Sequence, residues 1–288
     1  MKQKGLTSKQ LENYWNSVGY IYTDLPERKC SSNAISQFTK IINSLKPKRS
    51  LNFLEIACGS GILADFIVRT HLEQFEELTF LDLSDFMVEK TKKRLGKNLE
   101  NPKIAVKKEN CEKLTHLEKD HYDVVVGNLV IHLVEKPEEL LKCARRYLKT
   151  DGVLFLSILG GLKDCTFMKL AKDVLKGYFK PNPRKRSYFY FSEEALMAKL
   201  AEKFGFEVVE SSVVSVDYYE NDEQILGLYD EFFLFEGFLE KLGKKKYDRL
   251  IDDVRREIEV YKDNGTMIGL KIENYVLKKA DSKFCEIW

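Results

Sequence analysis

Two patterns of hydrophobic and polar residues alternate along the chain between residues 51 and 158. Five short runs rich in apolar residues predict strands, at Leu51–Ala57, Leu78–Leu83, Lys103–Lys108, Tyr122–Asn128 and Gly152–Ile158. Between strands, apolar residues recur at helical spacing, as in ILADFIVRTHL after the first strand and PEELLKCARRYL before the fifth. Buried strands that alternate with amphipathic helices are typical of a parallel sheet covered on both faces.

The segments on either side of this region follow other patterns. Residues 8–45 have helical spacing in two pieces, of which the first is rich in aromatic residues. Near the end of the chain, Phe206–Tyr219 and Thr266–Lys279 are predicted to be strands, and the charged, aromatic stretch Asn221–Lys262 between them is predicted to be helical. Because no βαβ crossover joins these two strands, we expect an antiparallel pair at one edge of the sheet.

Together these patterns predict an α/β fold, a doubly wound, seven-stranded and mostly parallel sheet with an antiparallel last strand. The chain is predicted to divide into an N-terminal helical cap at residues 1–48 and a sheet domain at residues 49–288. Within that domain, helical segments at about 162–190 and 219–264 are predicted to cover a substrate site.

Composition and charge point to no special environment. Hydrophobic residues make up 44% of the chain, charged residues 32%, and the formal net charge is +2, so nucleic acid and membrane surfaces are not favoured as partners. The basic clusters KPKRS and PNPRKRS are interpreted as solvated surface. Six cysteines form no C-x-x-C pair and no metal-ligand spacing, and no secretion signal or run of about 18 apolar residues stands out. We therefore expect a cytoplasmic protein without a metal.

The stretch LEIACGSG places a carboxylate, Glu55, inside the first strand and two glycines, Gly59 and Gly61, at its carboxyl end. Ligands of open α/β sheets bind at such strand ends. Residues 59–64 formally match a dinucleotide fingerprint, with Asp82 as its ribose partner. A nearby carboxylate would however repel a diphosphate, by about 1–4 kcal/mol at 4 Å. The acid favours a cationic ligand such as S-adenosylmethionine, or alternatively it caps the N–H groups of the glycine turn.

Five segments occur in the order and spacing of class I S-adenosylmethionine-dependent methyltransferases, which the chain resembles: FLEIACGSG, FLDLSDFMVEKTKKRL, ENCEKL, YDVVVGNLVIHLV and LLKCARRYLKTDGVLFLSI. The N-terminal YW…YIYTD is similar to the lead-in helix of the small-molecule branch of that superfamily. The resemblance covers residues 14–160 and continues more faintly to the last strand. It implies the class I methyltransferase fold, S-adenosylmethionine as cofactor and a small-molecule methyl acceptor.

The resemblance also implies a set of cofactor-binding residues, namely Tyr22, Glu55, Ala57, Gly59, Gly61, Asp82, Leu83, Met87, Asn110, Cys111, Asn128 and Leu129. Asp82 would accept from both ribose hydroxyls, whereas a role as helix cap suits Ser84 better. Leu83 and Met87 would lie against adenine, although a methionine at helical spacing also suits a plain core. Asn128 and Leu129 would line the methionine arm, and Tyr22 would reach its end.

Two of these residues depart from the family pattern. Asn110 stands where an aspartate is usual; its amide oxygen would accept from the adenine amine, and the N–H of Cys111 would donate to a ring nitrogen. Ala57 stands where the first glycine is usual, and we expect it to keep ordinary strand angles with a small shift of the turn.

The candidate catalytic residue is His132, which follows the fourth strand in GNLVIHLV. The superfamily's amino-methylating enzymes carry a D/N-P-P-Y tetrad at this place, and its absence argues against that class. His132 could act as a general base for a hydroxyl or acid acceptor, or it could pack in the loop. Methyl transfer needs mainly alignment and exclusion of water, so the lack of a catalytic dyad is no argument against an enzyme.

Several functions stay open at this point. The aromatics of the cover segments could wall an acceptor pocket, form a core, or join two copies of the chain as a homodimer. The cluster from Arg184 to Tyr190 would suit a methyltransferase that acts on protein or RNA. Asn110 and Ala57 would suit a cofactor-binding partner subunit without catalysis, and a nicotinamide-dependent oxidoreductase is the remaining alternative.

Overall fold

A computed structural model of the protein describes residues 6–22, 25–45, 50–180 and 189–280. Its strands are β1 (Leu51–Ile56), β2 (Phe75–Asp82), β3 (Ile104–Lys108), β4 (Tyr122–Gly127), β5 (Leu148–Leu159), β6 (Phe206–Asp217) and β7 (Gly269–Lys279). Its α-helices are α1 (Ser8–Tyr22), α2 (Leu25–Leu45), α3 (Ile62–Thr70), α4 (Asp85–Leu95), α5 (Pro137–Tyr147), α6 (Thr166–Leu175), α7 (Leu196–Lys203), α8 (Asp222–Phe235), α9 (Phe238–Leu242) and α10 (Lys244–Asp263). The predicted boundary at residues 48/49 lies outside the described residues.

The seven strands form one sheet in the order β3-β2-β1-β4-β5-β7-β6. β1 lies parallel to β2 and β4, so that Leu54 pairs with Thr79 on one side and Val125 on the other. β7 runs antiparallel to both β5 and β6, which confirms the predicted antiparallel pair and the predicted sheet. The strand order reverses between β1 and β4, and this switch point opens a crevice beyond their carboxyl ends.

Helices cover both faces of the sheet because its strands are apolar on both sides. On one face, Phe38 of α2 packs edge-on against Phe53 of β1, within a cluster that also contains α3. On the other face, Leu140 and Leu141 of α5 are fully buried together with residues of β4 and β5. The crevice is therefore supported by two rigid cores.

A third core lies beside the crevice and consists of α6, α8, α10 and the ends of β6 and β7. The predicted helical stretch Asn221–Lys262 is divided into α8, α9 and α10, since Gly237 and Gly243 adopt positive φ angles of 68° and 73°. Tyr229 and Phe233 of α8 are fully buried in this core. These aromatics thus pack within the chain, whereas Leu234 on the same helix is 42% exposed.

Two observations concern metals and membranes. Over the described ranges, no three His, Cys, Asp or Glu side chains come together in a way that could hold a metal ion. In the same part of the chain, no helix combines the length and apolar content that a membrane span requires.

Candidate active site

The crevice contains a cavity of about 330 Å³ at the carboxyl ends of β1, β2 and β4. Its floor is formed by the turn after β1, and its lining includes residues of α1, α6 and α8. Tyr14 and Trp15 of α1 lie against it from above, and Phe167 and Phe232 lie against it from the side. Such a concave, largely apolar site with a few buried polar groups is typical of ligand binding.

The turn after β1 is held by hydrogen bonds from α4. Thr91 Oγ1 of α4 donates to the carbonyl of Gly59 over 2.8 Å, and Arg94 Nε donates to the carbonyl of Ser60 over 2.8 Å. A Cβ at Gly61 would lie 2.7 Å from Thr91 Cγ2, and φ at Gly61 is 78°. Gly61 does not line the cavity. The need for a glycine at this position is explained by the close packing of the turn on α4.

The expectation that Ala57 keeps strand angles is wrong. Its φ is 58°, in the left-handed region where the family pattern has its first glycine. The turn therefore keeps its shape and Ala57 takes up the strain, which for a residue with a Cβ costs about 1–2 kcal/mol. Hydrogen bonds from α4 therefore determine the conformation of this turn more strongly than the backbone preference of Ala57.

We expect Ala57→Gly to stabilise the protein by about 1 kcal/mol, because it removes the strain of the left-handed backbone conformation. The greater flexibility of glycine in the unfolded chain offsets part of this gain. This would raise the melting temperature by about 2 °C in a chain of this length. Ala198→Gly in α7 is the matched control, which should lower stability by about 1 kcal/mol. Equal losses in both variants would contradict the strain at Ala57.

Glu55 is 3% exposed and lines the cavity. Its Oε2 is buried and has no hydrogen-bond partner among the described residues. Desolvation, followed by the nearby charges of Asp82 and Glu27, raises the pKa of Glu55 well above its usual range. A buried carboxylate oxygen of this kind is costly unless a ligand donates to it or brings positive charge.

The alternative in which Glu55 caps the glycine turn is not what the structure shows. The N–H groups of the turn donate elsewhere: Cys58 to Leu81 O, Gly59 to Asp82, Ser60 to Glu27, and Gly61 to Cys58 O. Glu55 is thus left to face the cavity.

Asp82 lies at the end of β2 and is also buried. Its two oxygens accept from the backbone N–H groups of Gly59 and Ser84, each over 2.9 Å. Burial raises the pKa of Asp82 to about 6, although these bonds and the one from Leu83 act against the rise. Ser84 is the N-cap of α4 and accepts from Met87 N, as the sequence predicted. Because each carboxylate oxygen has two lone pairs, Asp82 can still accept from a ligand hydroxyl.

Glu27 completes a cluster of three buried carboxylates, and the sequence analysis missed it. It reaches from α2 to the turn, where it accepts from Ser60 N over 2.8 Å and from Ser60 Oγ over 2.6 Å. Desolvation raises the pKa of Glu27 despite these bonds. Glu27 lies in the first turn of a helix, where an acid is common for reasons of the helix dipole, so the sequence carried no signal for this contact.

We expect Glu27→Ala to weaken binding of S-adenosylhomocysteine about tenfold and to lower stability by about 2 kcal/mol, since Ser60 N–H loses a charged partner in a buried place. Glu27→Gln, which can still accept from Ser60 N, should lose less of both. The exposed Glu73→Ala controls for removal of one carboxylate. The affinity of the three variants for S-adenosylhomocysteine can be measured by calorimetry. Affinities of both Glu27 variants equal to that of the unchanged protein would contradict the role of Glu27.

Three further residues that were predicted to contact the cofactor, Asn110, Asn128 and Leu129, form hydrogen bonds within the chain. Asn110 Oδ1 accepts from Glu112 N over 2.9 Å, so a bond to adenine would use its second lone pair. Ser157 Oγ donates to Asn128 Oδ1 over 2.7 Å and accepts from Leu129 N over 2.9 Å. Leu129 has a φ of 52°, a strained conformation next to the cavity.

Helix α1 is fixed over the cavity by contacts with β3, with α4 and with the residue just before α4. Asn16 Oδ1 accepts from Ser84 Oγ over 2.7 Å, next to Asp82. Lys108 Nζ lies 2.7 Å from a carboxylate oxygen of Glu12. Gly19 packs directly on Phe86, because a Cβ at Gly19 would lie 2.3 Å from that ring. The side chain of Tyr22 lies outside the described residues, so its contact stays a prediction.

Most predicted site residues therefore surround one cavity: Glu55, Ala57, Gly59, Asp82, Leu83, Met87, Asn110, Cys111, Asn128, Leu129 and His132. His132 is 5% exposed, so it combines burial with access to the cavity. Their individual roles stay predictions.

Known proteins share both the sequence pattern and the fold. Demethylmenaquinone methyltransferase from Bacteroides fragilis is 28% identical over 152 residues, which are 53% of this chain and 61% of that protein. Ubiquinone biosynthesis O-methyltransferase from Pelagibacter ubique is 27% identical over 157 residues, 53% of this chain and 62% of that protein. The matched region thus spans less than two thirds of either relative.

The solved structure of the cyclase SpnF has a TM-score of 0.57 and 11% identity and covers 97% of this chain and 99% of its own, which shows a shared fold alone. The family described as the methyltransferase domain matches residues 31–211. This match covers more than half of the chain, and it agrees with the order of the five motifs and with the observed sheet. The chain therefore belongs to the methyltransferase domain family, whose cofactor is S-adenosylmethionine, as the resemblance predicted.

Proposed function

We propose that the protein transfers a methyl group from S-adenosylmethionine to a small-molecule acceptor. The observation that carries this proposal is the acidic end of the cavity, where Glu27, Glu55 and Asp82 are buried together and one oxygen of Glu55 has no partner among the described residues. S-adenosylmethionine carries an ammonium, a sulfonium and one carboxylate, so its net positive charge offsets part of the electrostatic cost of this cluster. A diphosphate would add to that cost.

The residues around the cavity fit the cofactor. In this proposal Asp82 accepts from the ribose hydroxyls, and Glu55 accepts from the ammonium group, directly or through water. When bound, the donor supplies a methyl group on a sulfonium, which is already activated for displacement. The contribution of the chain is to orient donor and acceptor and to exclude water, for which α1 covers the cavity.

The size of the cavity supports a small acceptor. Helices α1, α6 and α8 contribute to its lining, and its volume of about 330 Å³ suits small molecules. The names of the two relatives, which refer to quinone biosynthesis, point in the same direction. The cluster from Arg184 to Tyr190 would suit RNA or protein, and its basic residues 184–186 lie outside the described residues.

The experiment is incubation with methyl-labelled S-adenosylmethionine and a fractionated cell extract. Label in the small-molecule fraction supports the proposal, whereas label in protein or RNA supports the alternative acceptors. Binding of S-adenosylhomocysteine without transfer of label to any fraction would favour a non-catalytic partner subunit. The cyclase SpnF is a reminder that this fold alone does not determine methyl transfer.

We expect His132→Asn to lower turnover about 100-fold with unchanged affinity for S-adenosylhomocysteine if His132 is a general base. His71 lies outside the cavity lining, so His71→Asn is the control for the loss of an imidazole. Turnover of His132→Asn equal to that of the control would assign His132 to packing of the loop.

The predicted homodimer and the cytoplasmic location remain proposals. Burial of Tyr229 and Phe233 within the chain reduces the aromatic surface that α8 could offer to a second copy. Sedimentation of the purified protein would decide between monomer and dimer.

A further inference from the structure

Among the described residues, the Asp, Glu, Lys and Arg side chains that line the cavity are all acidic. Six carboxylate side chains line it, those of Glu27, Glu55, Asp82, Glu109, Glu112 and Glu231. No lysine or arginine belongs to the lining that the described residues form. Glu27, Glu55 and Asp82 lie at the end of the cavity that we assign to the cofactor. The lack of lysine and arginine in the described lining therefore bears on the methyl acceptor, which would occupy the other end.

The opposite end of the cavity, which we call the acceptor end, is mainly apolar. It is formed by Leu159, Phe167, Met168, Leu228, Phe232 and Leu270. Phe167 stacks on Tyr229 with ring centroids 4.2 Å apart and contacts Tyr218 edge-on at 5.4 Å. These contacts anchor the wall in the third core, which makes the acceptor end a preformed surface.

Few polar groups reach the acceptor end. The Tyr218 hydroxyl and the Cys30 thiol lie 3.1 Å apart and share a hydrogen bond. Burial raises the pKa of Cys30 to about 11, so the thiol stays neutral at physiological pH. Glu231, on the same helix as Phe232, adds an exposed carboxylate to this side of the lining and already interacts within the chain.

We infer that the methyl acceptor is a molecule with an apolar body and no negative charge, either neutral or carrying an ammonium group that is not itself the methylated atom. This inference rests on the proposed function and adds the charge class of its substrate. An anionic acceptor would lose its hydration without gaining a cationic partner from the described lining, and the carboxylates would repel it. An apolar body is matched by the acceptor end, and an ammonium group is attracted by the aromatic faces there.

The test uses three probes of equal shape, 2-naphthol, protonated 2-naphthylmethylamine and 2-naphthoate, titrated by calorimetry into the protein saturated with S-adenosylhomocysteine. The neutral and cationic probes are expected to bind at least about tenfold more tightly than the anion. Equal or tighter binding of 2-naphthoate overturns the inference. Failure of all three probes to bind contradicts an apolar acceptor end.

Met168→Lys supplies a second measurement, because it places a cation at the acceptor end. We expect this variant to gain binding of 2-naphthoate and to lose binding of the cationic probe about tenfold, with its affinity for S-adenosylhomocysteine kept. Leu234→Lys, an exposed position of α8, is the matched control and should behave like the unchanged protein. An unaltered probe order in Met168→Lys counts against the inference.

Saturation with S-adenosylhomocysteine separates a failure of the proposed function from a failure of the inferred charge class of the acceptor. A protein that does not bind S-adenosylhomocysteine contradicts the proposed function. A protein that binds it and then prefers 2-naphthoate contradicts only the charge class of the acceptor.

Discussion

Gly59→Val is expected to weaken binding of S-adenosylhomocysteine by about 100-fold or more, equivalent to about 2.7 kcal/mol. Gly59 lines the cavity and has a φ of 58°, which a β-branched residue adopts only at high cost. A Cβ at this position would also lie 2.9 Å from Glu27 Oε1. The larger side chain would therefore both distort the turn and occupy the space of the ligand.

Gly96→Val is the matched control for this prediction. Gly96 has a φ of 53° at the end of α4, but a Cβ there meets no atom within 4 Å. Both variants should lose stability from backbone strain, whereas only Gly59→Val should lose affinity. Calorimetry that shows equal affinities for the two variants would contradict a close approach of the ligand to Gly59.

Asp82→Ala is expected to weaken binding of S-adenosylhomocysteine by about 1–3 kcal/mol, because it removes hydrogen bonds between a buried carboxylate and the ribose. It also removes the partner of Gly59 N–H, so the turn should become less ordered. Asp85→Ala, an exposed acid three residues further on, is the matched control. An unchanged dissociation constant for Asp82→Ala would show that the ribose is bound elsewhere.

The same carboxylate predicts a pH dependence. Burial raises the pKa of Asp82 to about 6, so its ionised form is lost as the pH falls through this value. Because a cation and a ribose both favour the ionised form, affinity should fall as the pH drops through about 6. The raised pKa values of Glu27 and Glu55 act in the same direction. Asp82→Asn should flatten the profile, and an unchanged profile would assign the titration to other groups.

The sheet could be predicted from the sequence because its signals are local. Runs such as Leu78–Leu83 are apolar enough to require burial on both faces, and the glycine turn marks the strand end where ligands bind. Asp82 and Glu55 were found because an acid inside an apolar run is conspicuous. The corresponding strand ends then bring these two carboxylates to the same edge.

Other parts of the site depend on contacts that are distant in sequence. Glu27 binds Ser60, 33 residues later, and nothing near Glu27 distinguishes it from a surface acid in a first helical turn. The angle at Ala57 is imposed by the turn as a whole, against the preference of the residue. Whether Phe232 or Phe233 faces the cavity depends on how α8 packs on α6, which periodicity does not determine.

The claim on which this account depends is that a buried cluster of acids selects a cationic methyl donor over a diphosphate cofactor. Calorimetric titration of the unmodified protein with S-adenosylmethionine and with NADH tests it most directly. We predict binding of one S-adenosylmethionine per chain and no heat of binding with NADH. Binding of NADH, or binding of neither compound, would contradict it.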